Sequence, residues 1–169
     1  MISVNRLFVV VIGILDDRKE KIVLIRRKRP PYQGYWSLIG GKIKKNEPIF
    51  TAAKREAMEE TGMQLSNLEF HGILEEILYR QKETEVDIFH IFIVSGQTKK
   101  KELIVSEEGI TDWINLSDLD KIPLIPSDKL MITEMILKHS NGLKFAKATL
   151  REELDTVKMT EFEVVSEYH

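Results

Sequence analysis

Residues 41–63 read GKIKKNEPIFTAAKREAMEETGM. Within them, positions 48–61 predict a helix. Pro48 suits a first turn, Ala52, Ala53, Ala57 and Met58 favour helix, and Gly62 stands where a left-handed residue ends one. On that helix Glu56, Glu59 and Glu60 fall at i, i+3 and i+4, so their carboxylates share one face within about one turn. Like charges so spaced weaken an isolated helix by about 0.2–0.5 kcal/mol per pair. Lys54 and Arg55 flank the cluster but cannot neutralise three acids at once. Two readings follow. Glutamates are common on wet helix faces, and any one of these fits that description. A cation at the centre of the three explains the grouping instead, and an all-oxygen donor set selects a hard divalent ion, Mg²⁺ or Mn²⁺.

Outward from this helix the chain reads as strands. Positions 7–15 and 21–28 are rich in Val, Ile and Leu and are separated by Asp16-Asp17-Arg18-Lys19, which predicts an antiparallel pair. Pro30-Pro31-Tyr32-Gln33-Gly34 is a loop, and 36–39 is a short strand stopped by Gly40-Gly41. Further strands are expected at 68–79, 87–97 and 111–115, an amphipathic helix at 127–139, and a β-hairpin around Asp155 within 143–165. Strands, helix, strands, helix is the order of a mixed α/β (α+β) domain with a largely antiparallel sheet, not of a doubly wound fold.

Composition narrows the function classes. The 169 residues suffice for one ordinary domain, and 43% hydrophobic with 31% charged residues is a globular balance. With 25 Lys+Arg against 27 Asp+Glu the net charge is −2, which excludes a protein held to nucleic acid by bulk positive charge. The absence of cysteine excludes a disulfide framework, a thiolate nucleophile and a Cys-based zinc site, and it is compatible with a reducing cytoplasm. The longest apolar run, 7–15, is about half of the ~20 residues that span a bilayer, and the N-terminus lacks the pattern of a signal peptide. A cytoplasmic protein with no membrane partner and no stable nucleic-acid partner is expected. Residues 150–169 hold 2 basic and 6 acidic groups, an acidic tail that reads as a solvated edge or a partner-binding one.

The stretch Gly41–Met63 resembles, without a gap, the signature of the Nudix hydrolases: Gly, five residues, Glu, seven residues, Arg-Glu, an aliphatic, any residue, Glu-Glu, any residue, Gly, an aliphatic. Gly41, Glu47, Arg55, Glu56, Glu59, Glu60 and Gly62 fill every fixed position. A chance match somewhere in the chain is on the order of one in a million. The aliphatic places hold Ala57 and Met63, and Ile39 stands where the family commonly has proline before the paired glycines, a change that bears on loop stiffness more than on ligation. The resemblance covers roughly residues 5–140.

What the resemblance implies is a Nudix α/β/α sandwich over residues 1–142, followed by a C-terminal extension, 143–169, packed on the same domain or on a dimer partner. It also implies divalent-metal-dependent hydrolysis of a phosphoanhydride bond in a nucleoside diphosphate linked to another moiety. Glu56, Glu59 and Glu60 would hold Mg²⁺ or Mn²⁺ with the carbonyl of Gly40, while Arg55 would orient the acids by pairing with Glu47. Gly41 and Gly62 are structural members of the box. The base that activates water is Glu56 or, as in some family members, an acid from a later loop, here Glu107 or Glu108. Those two also read as a plain acidic loop. Members are often homodimers.

Outside the box, Arg27 and Arg29 end the second strand near the glycines, where a guanidinium could hold phosphate oxygens, or they are exposed edge residues. Trp36, Tyr32 and Tyr35 could stack on a base, although Trp36 beside an apolar strand equally suits the core. His71 and His90 read as structural, and Phe89, Phe92 and Phe145 as core. The expected substrate is a small nucleotide, either of ADP-ribose type or a nucleoside triphosphate. A non-catalytic nucleotide-sensing module is the alternative, and it is disfavoured because every acidic position of the box is intact. RNA-end hydrolysis would want a stronger basic groove.

Overall fold

The computed structural model describes residues 1–81, 84–138 and 142–168. In chain order it contains β1 (Ser3–Leu15), β2 (Lys21–Arg27), β3 (Trp36–Lys42), α1 (Ile49–Thr61), β4 (Ser66–Tyr79), β5 (Glu85–Gln97) and β6 (Gly109–Asn115). A 3₁₀ turn (Leu116–Lys121), α2 (Pro126–Leu130) running into a π-helical turn (Met131–Ile136), β7 (Leu143–Glu152) and β8 (Val157–Tyr168) complete it. The strands form one 8-stranded sheet in the order β6-β2-β3-β1-β5-β4-β7-β8. Its pairings are antiparallel apart from β1 with β5 and β4 with β7. The mixed, largely antiparallel sheet is as expected. No helix among the described residues is long and apolar enough to cross a membrane.

Alternation along β1 separates two cores. Val10, Ile12 and Ile14 join Val23, Ile25 and Ile39 against Ala52, Ala53, Ala57 and Met63, so α1 covers one face through its smallest side chains and lies close to the strands. Val9 and Val11 point the other way, into a larger cluster with Leu24, Leu38, Leu74, Leu78, Met131, Ile132 and Met135, which the α2 segment closes. The result is a helix–sheet–helix sandwich.

Four local expectations need correction. β1 and β2 meet only where Leu15 faces Ile22, because β3 lies between them and takes the partners each would have offered the other. Gly40-Gly41 does not stop β3. The strand continues past both glycines, which pair with Val11 and Val10. α1 begins at Ile49, with Pro48 as its extended cap. The helix expected over 127–139 is a short α-helix followed by the π-turn, and position 139 lies outside the described residues. The C-terminal hairpin is present, with β7 pairing in parallel on β4 and β8 on β7. Phe89, Phe92 and Phe145 are all half-buried, and Phe89 packs on the larger core as expected.

Candidate functional site

Arg55 organises the acids of α1. Its guanidinium meets Glu47 through two bonds, Nε to Oε1 at 2.7 Å and Nη2 to Oε2 at 2.9 Å. Nη1 reaches Glu56 at 2.6 Å and Glu59 at 3.2 Å, and Nη2 also donates to the Lys42 carbonyl at 3.1 Å. The planar fork suits this arrangement, since it can grip one carboxylate with two donors and still reach others. Hydrogen bonding to Arg55 pulls the Glu47 carboxyl down to about 2. The same partners hold the Arg55 guanidinium in its charged form.

Although the helical spacing puts Glu56, Glu59 and Glu60 on one face, the sheet divides them. The Glu59 side chain is 55% exposed, while Glu56 is buried beside Arg55 and Glu60 is 3% exposed. Glu60 accepts a hydrogen bond from the Gly40 amide at 3.2 Å and shares another with Glu108. Burial first, and then the Glu108 carboxyl beside it, push Glu60 up to about 9. Burial likewise raises Glu56, against the opposing pull of Arg55. Gly41 lies under the Glu56 carboxylate, where a Cβ would stand 2.6 Å from its oxygens. Its lack of a side chain is what admits the acid.

The later acids Glu107 and Glu108 are both exposed, and Glu108 meets Glu60. The backbone of Glu108 also accepts from the Lys28 amide at 3.1 Å, so the segment before β6 ties the acids to the loop after β2. Arg27 is half-buried, with Nε donating to the Pro31 carbonyl at 2.9 Å, and Arg29 is exposed on the same loop. Trp36 packs against the larger core, and so does Tyr35. Tyr32 is buried, with its hydroxyl on Glu76, so its ring is not open for stacking. His71 meets the Ser95 hydroxyl at 2.7 Å, and His90 stacks on Phe8 with centroids 4.9 Å apart.

One polar cluster escaped the sequence reading. Glu76, inside the larger core, accepts from Tyr32 Oη at 2.6 Å and from the Ser127 hydroxyl, and neighbouring Asp128 accepts from the Leu38 amide at 2.7 Å. A signal for it did exist: Glu75 and Glu76 are adjacent in a strand, so one of them must face inward.

A metal ion fits this donor set. Every group is an oxygen, and Glu60 with Glu108 is a pair of neighbouring acids that only a shared proton or a cation makes tolerable. Among the described residues, no three acidic or imidazole side chains already converge at ligand distance, because Arg55 engages Glu56 and Glu59.

The family model of the NUDIX domain matches residues 5–135. The chain belongs to the Nudix hydrolase family. Among its relatives in that family, an 8-oxo-dGTP diphosphatase of Buchnera aphidicola is 32% identical over 111 residues, covering 65% of this chain and 78% of the relative. An oxidized purine nucleoside triphosphate hydrolase of Mus musculus is 28% identical over 137 residues, covering 80% and 83%. The crystal structure of a MutT protein from Bacillus halodurans superposes with a TM-score of 0.72 at 24% identity, over 94% of this chain and 97% of that one.

Proposed function

We propose that this Nudix hydrolase cleaves a phosphoanhydride bond of a nucleoside triphosphate, with Mg²⁺ or Mn²⁺ as cofactor. The observation that carries the reading is the placing of Glu56, Glu60 and Glu108 near one another beside Gly40 and Gly41, with Arg55 bonded to Glu56. Glu56, Glu59 and Glu60 would hold the metal together with the Gly40 carbonyl. Bound there, a divalent ion neutralises phosphate charge and makes water a better nucleophile. Arg55 sets the rotamers of Glu56 and Glu59, and Glu47 locks Arg55 in turn. Glu108, on the loop before β6, exposed and beside Glu60, is the acid that takes the proton of the attacking water. Arg27 and Arg29 supply positive charge to the outer phosphates.

The relatives weigh on the choice of substrate. Their names point to purine nucleoside triphosphates carrying oxidised bases, and that supports a triphosphate over an ADP-ribose-type compound. The test is a product assay with Mg²⁺ over dNTPs, 8-oxo-dGTP, ADP-ribose, dinucleoside polyphosphates and nucleotide sugars. Turnover of a triphosphate, abolished by EDTA and restored by Mg²⁺ or Mn²⁺, is expected. Tight binding of one compound with no turnover of any would identify a sensor instead.

A further inference from the structure

We propose that Tyr32 and Tyr35 are positioning residues that clamp the β2–β3 loop against the acid site, and that the C-terminal hairpin acts in the reaction through Tyr35. The proposal rests on the hydrolase reading above.

The loop between β2 and β3 contains two prolines and Gly34, and its first residue touches the site, since the Lys28 amide donates to the Glu108 carbonyl at 3.1 Å. It also carries Arg29 and follows Arg27. Left alone, such a loop would have to be ordered each time a polyanion bound, and that ordering would weaken binding. Here it is held from both sides. Tyr32 reaches through the larger core to Glu76 on β4, 44 positions away in sequence. Tyr35 accepts the amide hydrogen of Val157, the first residue of β8 and 122 positions away, at 2.9 Å. Between these anchors the loop is closed by its own bonds: Gly34 amide to Arg27 carbonyl at 2.8 Å, Arg27 amide to Tyr35 carbonyl at 2.9 Å, and Arg27 Nε to Pro31 carbonyl at 2.9 Å.

Two features argue against plain core filling. Tyr32 has φ of 64°, a left-handed conformation that is strained for a bulky residue and persists only where the surroundings impose it. Phenylalanine at either position would fill the same volume without burying a hydroxyl, and an apolar residue at 76 would spare the core a carboxylate. The polar bonds therefore secure a particular loop position more than they secure the fold. Val157 matters for the same reason. It faces Glu152 of β7 in register, and its amide is donated to Tyr35 on the loop.

The test uses the full chain with Y32F, Y35F and V157P, the last removing the Val157 donor without touching Tyr35. Two readouts are paired: amide hydrogen exchange of residues 28–35, and Mg²⁺-dependent hydrolysis of dGTP and 8-oxo-dGTP. In each variant, exchange across the loop should quicken about tenfold. KM should rise about fivefold, the size expected for one lost hydrogen bond, while kcat stays within about twofold. A role confined to stability would lower the melting temperature and leave KM alone. Unchanged exchange overturns the clamp, as does faster exchange with unchanged KM. A KM effect in Y35F that V157P does not reproduce overturns the part given to the hairpin. Should Y32F fail to fold, Y35F and V157P still decide the matter. A wild type inactive on every nucleotide rejects the hydrolase reading, and the clamp is then judged on exchange alone.

Discussion

Gly41 and Glu56 share a space that holds one side chain. Because a Cβ at position 41 would stand 2.6 Å from the Glu56 carboxylate, Gly41→Ala must displace either the acid or β3. Turnover should fall by about 100-fold or more, since the displaced group belongs to the reacting cluster. Glu59→Gln and Glu60→Gln should each lower turnover by at least about 100-fold with the fold intact, judged by circular dichroism, because they remove metal ligands and little core volume. The pair is informative because one of these side chains is exposed and the other buried. If either variant keeps a near-wild-type rate, its place among the ligands is lost. These residues were legible in the sequence, the three glutamates by helical spacing and Gly41 by the family signature. What could not be read was their division by the sheet, or that Glu108 and not Glu107 would meet Glu60. That depends on where a loop of a distant strand lands.

At the scale of elements, α1 is the part of the fold most local in origin. Propensity, the acidic spacing and the stop at Gly62 all lie within its own stretch of chain. Gly62 has φ of 70°, its amide bonds the Met58 carbonyl, and a Cβ there would stand 2.7 Å from a methyl of Ile104. Gly62→Ala should therefore cost about 1 kcal/mol or more, lowering the melting temperature by about 2–4 °C in a scanning experiment. The hydrolysis rate should fall as well, because Gly62 follows Glu60 by only two positions and a shifted cap moves the last turn that carries Glu59 and Glu60. The elements misread were those whose limits are set by neighbours. Gly40 and Gly41 look like a strand stop in isolation, but in the sheet they are what lets β3 approach β1, where a Cβ on Gly40 would fall 2.1 Å from the Val10 carbonyl. The π-turn at Met131–Ile136 has a partner of the same kind in Lys144, a fully buried lysine on β7 whose ammonium donates to the carbonyls of Glu134 and Lys138.

Across the whole molecule, the larger core encloses two carboxyl groups. Burial raises Asp128 to about 7, with the Glu76 carboxyl adding to the shift, and the Leu38 amide and the Arg27 charge opposing it. The unfolded chain releases this proton near the ordinary aspartate value, about 4, whereas the native state keeps it to about 7. Asp128 therefore makes the protein less stable as pH rises through that window, and its contribution is flat above it. Urea midpoints at pH 5 and pH 8 should differ less in Asp128→Asn than in wild type, by the equivalent of roughly 1–3 kcal/mol, since asparagine still accepts the Leu38 amide and has no proton to lose. An equal pH dependence in the two proteins would remove Asp128 from this account. The sequence by itself determined the box, its helix, the family and the order of strands and helices, because each follows from contacts within about one or two turns of chain or from spacing alone. Only the tertiary structure decided that β3 runs between β1 and β2, that Glu76, Asp128 and Lys144 are interior, and that β8 reaches back to Tyr35. Those outcomes join residues up to 122 positions apart, and which groups meet at such range depends on how the layers pack.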